Sequence, residues 1–164
     1  MFWRWAIPRV WKTWSRRWPA TTTEVLVIVL RRRLFVYGTL QPQADTPMAR
    51  WLAGRTVESV AATVPGRLYA IPDPRGWYPA GVAAADAAIA GALLTLDLAA
   101  NDLARLDRYE GRDYRRTMVR ARAGGALVAA QAWRWDRQLP ARARPVPSGD
   151  FRRWLDLTGH RAFR

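Results

Sequence analysis

Between Arg33 and Trp135 the chain is cut into short apolar runs, each closed by glycine, proline or charge, and only one longer stretch has helical spacing. That punctuation restricts the fold more than any other feature. Leu34-Phe35-Val36-Tyr37 reads as a buried strand ended by Gly38, with Gln41-Pro42-Gln43 as the loop beyond it. Alternation marks further strands around Val57 to Leu68, Ala87 to Leu96, Arg116 to Arg122 and Ala126 to Trp135. Gly124-Gly125 joins the last two as a hairpin, since paired glycines accept the positive φ of a tight turn. The helix runs from about Ala100 to Tyr109, with Leu103 and Leu106 on one face and Gly111 placed to end it. Met48 to Leu52 suggests a second, shorter helix. Leu139 to Ser148, rich in proline and arginine, reads as a surface excursion before a closing segment from Phe151 to Leu157. Mostly strands with few helices predicts an α+β domain, and 164 residues suit one core. The expected division is an extension over residues 1–32, a folded domain over 33–158 and a tail over 159–164.

The available chemistry is narrow. There is no cysteine, which removes disulfides, zinc-thiolate sites and cysteine nucleophiles, and the single histidine, His160, makes a serine–histidine triad or a multi-histidine metal site improbable. Acid–base work falls to carboxylates and tyrosines.

A net charge of +14 suits nucleic acid or an anionic membrane in principle, so its distribution matters. The first 33 residues hold eight basic groups against Glu24 alone, and five of the ten tryptophans fall by Trp18. Beyond Lys12 every basic residue is arginine, which points to coding composition rather than a binding face, and no specific nucleic-acid partner is expected. Between Pro8 and Pro19, Val10, Trp11, Trp14 and Trp18 share one helical face, the pattern of an interfacial helix, so residues 8–18 are a weak candidate for membrane-surface contact. Val25 to Leu30, walled by Glu24 and Arg31, falls far short of the ~20 apolar residues that span a bilayer. Ser15-Arg16-Arg17 is followed by Pro19 and Thr21-Thr22-Thr23 where an export signal needs hydrophobic residues, so a cytoplasmic location is expected. Valine codons can serve as bacterial starts, and Val25, Val27 or Val29 offers one; residues 1 to about 24 would then never be made.

Two segments could carry chemistry. At Tyr37-Gly38-Thr39-Leu40 a strand opens through glycine into a loop whose successive N–H groups can aim at one anion. In Leu106-Asp107-Arg108-Tyr109-Glu110-Gly111, Glu110 stands at a helix C-terminus, where the partial negative charge disfavours an ionised carboxylate and raises its pKa if the site is also dry. Alone, either segment is a weak signal.

Their order, with Pro65-Gly66-Arg67-Leu68-Tyr69, Trp77-Tyr78-Pro79-Ala80, Ala90-Gly91-Ala92-Leu93 and Tyr114-Arg115-Arg116 falling in register, resembles the γ-glutamylamine cyclotransferase (AIG2-like) family of the γ-glutamylcyclotransferase-like superfamily over about 125 residues. The resemblance implies a small mixed β-barrel with a few short helices, a pocket between the two segments, and an acyltransferase-type release of 5-oxoproline from a small-molecule γ-glutamyl substrate. It implies no cofactor and no metal. Glu110 would be the catalytic acid/base; Gly38, Thr39 and Leu40 would bind the substrate's carboxylate or the developing oxyanion through their N–H groups; Pro79 would line the pocket, and Tyr37 and Tyr114 would wall it or donate hydroxyl hydrogen bonds. The alternative is a domain that keeps the pocket and binds a small metabolite or partner without turnover. Gly81 departs from the family, which often has a larger apolar residue there, and leaves the pocket's shape open. Asp107 and Asp113 read as solvated, and Trp51, Trp133, Trp135 and Trp154 as packing residues.

Overall fold

The computed structural model describes residues 29–163. The tryptophan-rich extension, the amphipathic face over 8–18 and the alternative starts at Val25 and Val27 lie outside the described residues.

Eight strands and three helices follow in order: β1 (Val29–Val36), α1 (Pro47–Ala53), β2 (Thr56–Pro65), β3 (Arg67–Asp73), β4 (Gly76–Val82), β5 (Ala88–Ala99), α2 (Asp102–Glu110), β6 (Tyr114–Ala123), β7 (Ala126–Trp135), β8 (Arg144–Val146) and α3 (Phe151–Thr158). A closed barrel forms in the order β1-β5-β2-β6-β7, beside a smaller sheet ordered β4-β3-β8. The class is α+β and the barrel is mixed: its pairs are antiparallel except the closing one, where β7 meets β1 in parallel at Gln131 and Leu34.

Period-two alternation sorts the core. Phe35 and Tyr37 point into the barrel with Leu93 of β5 and Val64 of β2. A five-stranded barrel is narrow, and Ala62, Ala121, Ala130 and Ala132 make room for the two rings, which stack with centroids 6.1 Å apart. The intervening Leu34 and Val36 face outward, yet are buried because Leu52 of α1 and Leu106 of α2 close over them with Leu94, Leu96 and Leu98. β5 is therefore covered on both sides. A third cluster, Ile71, Ala80 and Trp135, joins the small sheet to the barrel.

Trp77 to Ala80 lies in β4, an edge strand, where the N–H that Pro79 lacks is dispensable. One reading of the sequence is corrected. The expected excursion over Leu139 to Ser148 contains β8, which pairs with β3 and buries Val146 in the barrel core; its short apolar signal is masked by neighbouring proline and arginine. No helix among the described residues is long and apolar enough to cross a membrane.

Candidate active site

One pocket of about 280 Å³ opens at the end of the barrel where β1 runs out. It brings together all seven residues singled out in the sequence: Tyr37, Gly38, Thr39, Leu40, Pro79, Glu110 and Tyr114.

The loop after β1 is built by local hydrogen bonds. Gly38 C=O accepts from Gln41 N–H at 3.0 Å, and Thr39 C=O accepts from the Thr46 hydroxyl at 2.9 Å. Thr46 is itself the N-cap of α1, accepting from Ala49 N–H at 3.0 Å, with Pro47 pre-set in the first turn. The Gly38 and Thr39 carbonyls are thus engaged, while the N–H groups of Gly38, Thr39 and Leu40 donate to no acceptor among the described residues. Glycine is required at position 38, since a Cβ there would collide with the Pro79 ring.

Glu110 is the last residue of α2, and Gly111 leaves the helix at φ 82°, which turns the chain toward β6. Glu110 has no ion-pair or side-chain hydrogen-bond partner among the described residues, and burial raises its pKa from 4.5 to about 7. Its charge also reaches Tyr37 and Tyr114, whose phenol pKa values burial already raises and which Glu110 pushes further up. Both hydroxyls are committed to the main chain. Tyr37 donates to the Trp133 carbonyl at 2.6 Å and accepts from Gly81 N–H at 3.3 Å; Tyr114 donates to the Pro79 carbonyl at 2.7 Å. They serve as walls. Gly81 is explained by the same packing, because a Cβ there would come within 2.9 Å of the Tyr37 hydroxyl and of Ile89.

Asp107, expected in solvent, has a side chain 41% exposed and is also held: Arg116 grips it bidentately at 2.9 and 3.1 Å, and Trp133 Nε1 donates to it at 2.9 Å. Asp113 is exposed at the pocket rim, 3.6 Å from Arg137. Trp133 and Trp135 are buried packing residues, and Trp51 and Trp154 pack against the core.

Several lining residues were not singled out. Tyr109 donates to the Thr39 hydroxyl at 3.2 Å, and Asp73, Arg75, Tyr78 and Phe163 form the outer wall. Thr46 was readable from Thr46-Pro47, an N-cap signature. Phe163 carries no local signal. Among the described residues no cluster of histidine, aspartate and glutamate could hold a metal ion.

Comparison with known proteins agrees with this geometry. A sequence model described as γ-glutamyl cyclotransferase, AIG2-like matches residues 34–153. Among curated proteins there is no significant match. Solved structures show the same fold. YkqA from Bacillus subtilis aligns with a TM-score of 0.62 and 20% identity, covering 79% of this chain, which spans only 43% of YkqA. A protein from Arabidopsis thaliana aligns at 0.57 and 24% identity, covering 79% of this chain and 83% of its own. An AIG2-like protein from Mus musculus aligns at 0.51 and 15%, with 67% and 80% covered.

Proposed function

We propose, on the premise that this chain belongs to the γ-glutamyl cyclotransferase, AIG2-like family, that it releases 5-oxoproline from γ-glutamyl amides with Glu110 moving the proton. The observation that carries this reading is a carboxyl group that meets no cation among the described residues, at about pKa 7, in the same pocket as loop N–H groups that find no acceptor among them. The substrate completes both. Its α-carboxylate, or the oxyanion that develops on the γ-carbonyl, accepts from Gly38, Thr39 and Leu40, and its α-ammonium becomes the counter-ion of Glu110.

The reaction is then an intramolecular amide exchange. Glu110 takes a proton from the α-ammonium, and the freed amine bonds to the γ-carbonyl carbon. That proton passes to the departing nitrogen as the γ C–N bond breaks. The second proton on the ring nitrogen follows, so the neutral lactam is left and the amine departs as its ammonium. Nothing is oxidised or reduced. Because the nucleophile belongs to the substrate, holding the glutamyl chain folded supplies much of the rate. A carboxyl group that titrates near pH 7 suits both transfers.

The test is 5-oxoproline release across a panel of γ-glutamyl amides. Wild type turns over, kcat/KM rises with pH through about 7, and Glu110→Gln is slower by roughly 10²–10⁴-fold. Equal rates in the two proteins overturn the role of Glu110. Tight binding with no release across the panel leaves a metabolite-binding domain.

A further inference from the structure

The match to the family ends at residue 153, yet one wall of the pocket comes from beyond it. After α3 the chain runs back along β4 as a short bridge. Trp77 N–H donates to the Arg161 carbonyl at 2.9 Å, and Phe163 N–H donates to the Trp77 carbonyl at 2.8 Å. The His160 ring stacks on Trp77 at 4.7 Å, with Trp154 edge-on to the same indole. Gly76 permits the approach: its φ is 136°, and a Cβ there would lie 2.5 Å from the Ala162 carbonyl oxygen.

This places the Phe163 ring against Tyr78, edge-to-face at 6.0 Å, and under the Arg75 guanidinium at 4.2 Å. Position along β4 gives the wall its direction. Pro79 packs on Gly38, Phe163 lies beside Tyr78 one residue further from the loop, and Arg75, just before the strand, is four residues from Pro79, about 13 Å at the usual strand rise. The glutamyl half of a substrate anchored at the loop would therefore point its amine toward Phe163. Charge there is already paired, Arg75 with Asp73 at 3.2 Å and Asp113 with Arg137 at 3.6 Å, so the unspent surface is aromatic.

We propose that Phe163, with Tyr78 and Arg75, forms a leaving-group subsite that selects flat, uncharged amines. The inference rests on the reading above that a γ-glutamyl amide fills the pocket. Calorimetric titration of Glu110→Gln isolates binding from turnover, using γ-glutamylanilide, γ-glutamylmethylamide and γ-glutamylglycine as probes. The anilide binds roughly tenfold tighter than the other two, as one aromatic pair implies. Adding Phe163→Ala removes that advantage and leaves methylamide affinity unchanged, while Phe163→Trp retains it; circular dichroism checks the fold of each variant.

Equal affinity for anilide and methylamide, an equal loss for both in Phe163→Ala, or tightest binding by γ-glutamylglycine overturns the subsite. Anilide preference in a wild-type protein that releases no 5-oxoproline removes the proposed reaction and leaves the subsite standing. Release of 5-oxoproline without that preference does the reverse, and a wild-type protein that neither binds nor turns over any probe overturns both.

Discussion

Asp107 and Glu110 stand three residues apart on the last turn of α2, and the fold treats them in opposite ways. Asp107 receives three charge-assisted or neutral hydrogen bonds, from Arg116 of β6 and Trp133 of β7. Glu110 receives none from the described residues and is half-buried at the pocket wall, where desolvation raises its pKa to about 7. Same helix end and similar acid, yet one is a structural tie and the other is a carboxyl group without a partner among the described residues. The difference teaches that the helix dipole, common to both, is the smaller influence; partners and water decide.

The largest expected effect breaks the tied half. Asp107→Ala leaves the Arg116 guanidinium and the buried Trp133 indole N–H without their acceptor, and it should cost about 2–3 kcal/mol in denaturant unfolding. Both partners also hold the sheet that carries the Tyr37 acceptor, the Trp133 carbonyl. Asp107→Ala should thus weaken the pocket indirectly, whereas Arg116→Lys, which keeps one hydrogen bond, should cost less. If Asp107→Ala leaves stability unchanged, the contrast between the two acids is empty.

The untied half carries the opposite sign. A carboxyl group whose folded pKa exceeds its unfolded value binds protons more tightly when folded, so its contribution is full below about pH 4.5 and is lost as pH rises through about 7. Glu110→Gln removes the cost of ionising a partly buried group. The variant should be more stable than wild type by about 2 kcal/mol at pH 8, after allowing for partial exposure, and equal to it near pH 4.5. Thermal unfolding at the two pH values checks this. A uniform shift at both would mean that packing, not ionisation, sets the effect.

How much of this was legible in one dimension follows from where the partners come from. The alternation in Leu34 to Tyr37 and Ala126 to Trp135, the double glycine between β6 and β7 and the amphipathic run ending at Gly111 are local signals, and the strands and helix lie there. The position of Glu110 at a helix end is equally local. Its lack of a partner is not, because it depends on Arg116 choosing Asp107 instead, a choice made by the register of β6 against α2. β8 and Phe163 are invisible for the same reason: three residues pairing with β3, or one ring carried by a bridge onto Trp77, leave no periodicity to detect. The resemblance to the family connected Gly38 with Glu110 across some 70 residues of sequence, a distance over which spacing alone says nothing.

Thr46 sharpens the comparison at the opposite wall, with the smallest expected effect. It does for the loop what Arg116 does for Asp107, occupying a polar group that would otherwise face the pocket. Its hydroxyl holds the Thr39 carbonyl and caps Ala49 N–H, so that carbonyl is not free to meet a ligand. Thr46→Val preserves the shape and removes both hydrogen bonds, at about 1–2 kcal/mol of stability. With its carbonyl released, Thr39 can turn an acceptor toward an anionic ligand, so KM for a γ-glutamyl amide should rise several-fold, roughly the equivalent of 1 kcal/mol, while kcat changes less. Thr46→Ser, which restores the hydroxyl, should recover both. A fall in kcat with KM unchanged would instead place the loop's role in the transition state and make its N–H groups an oxyanion site rather than a carboxylate anchor.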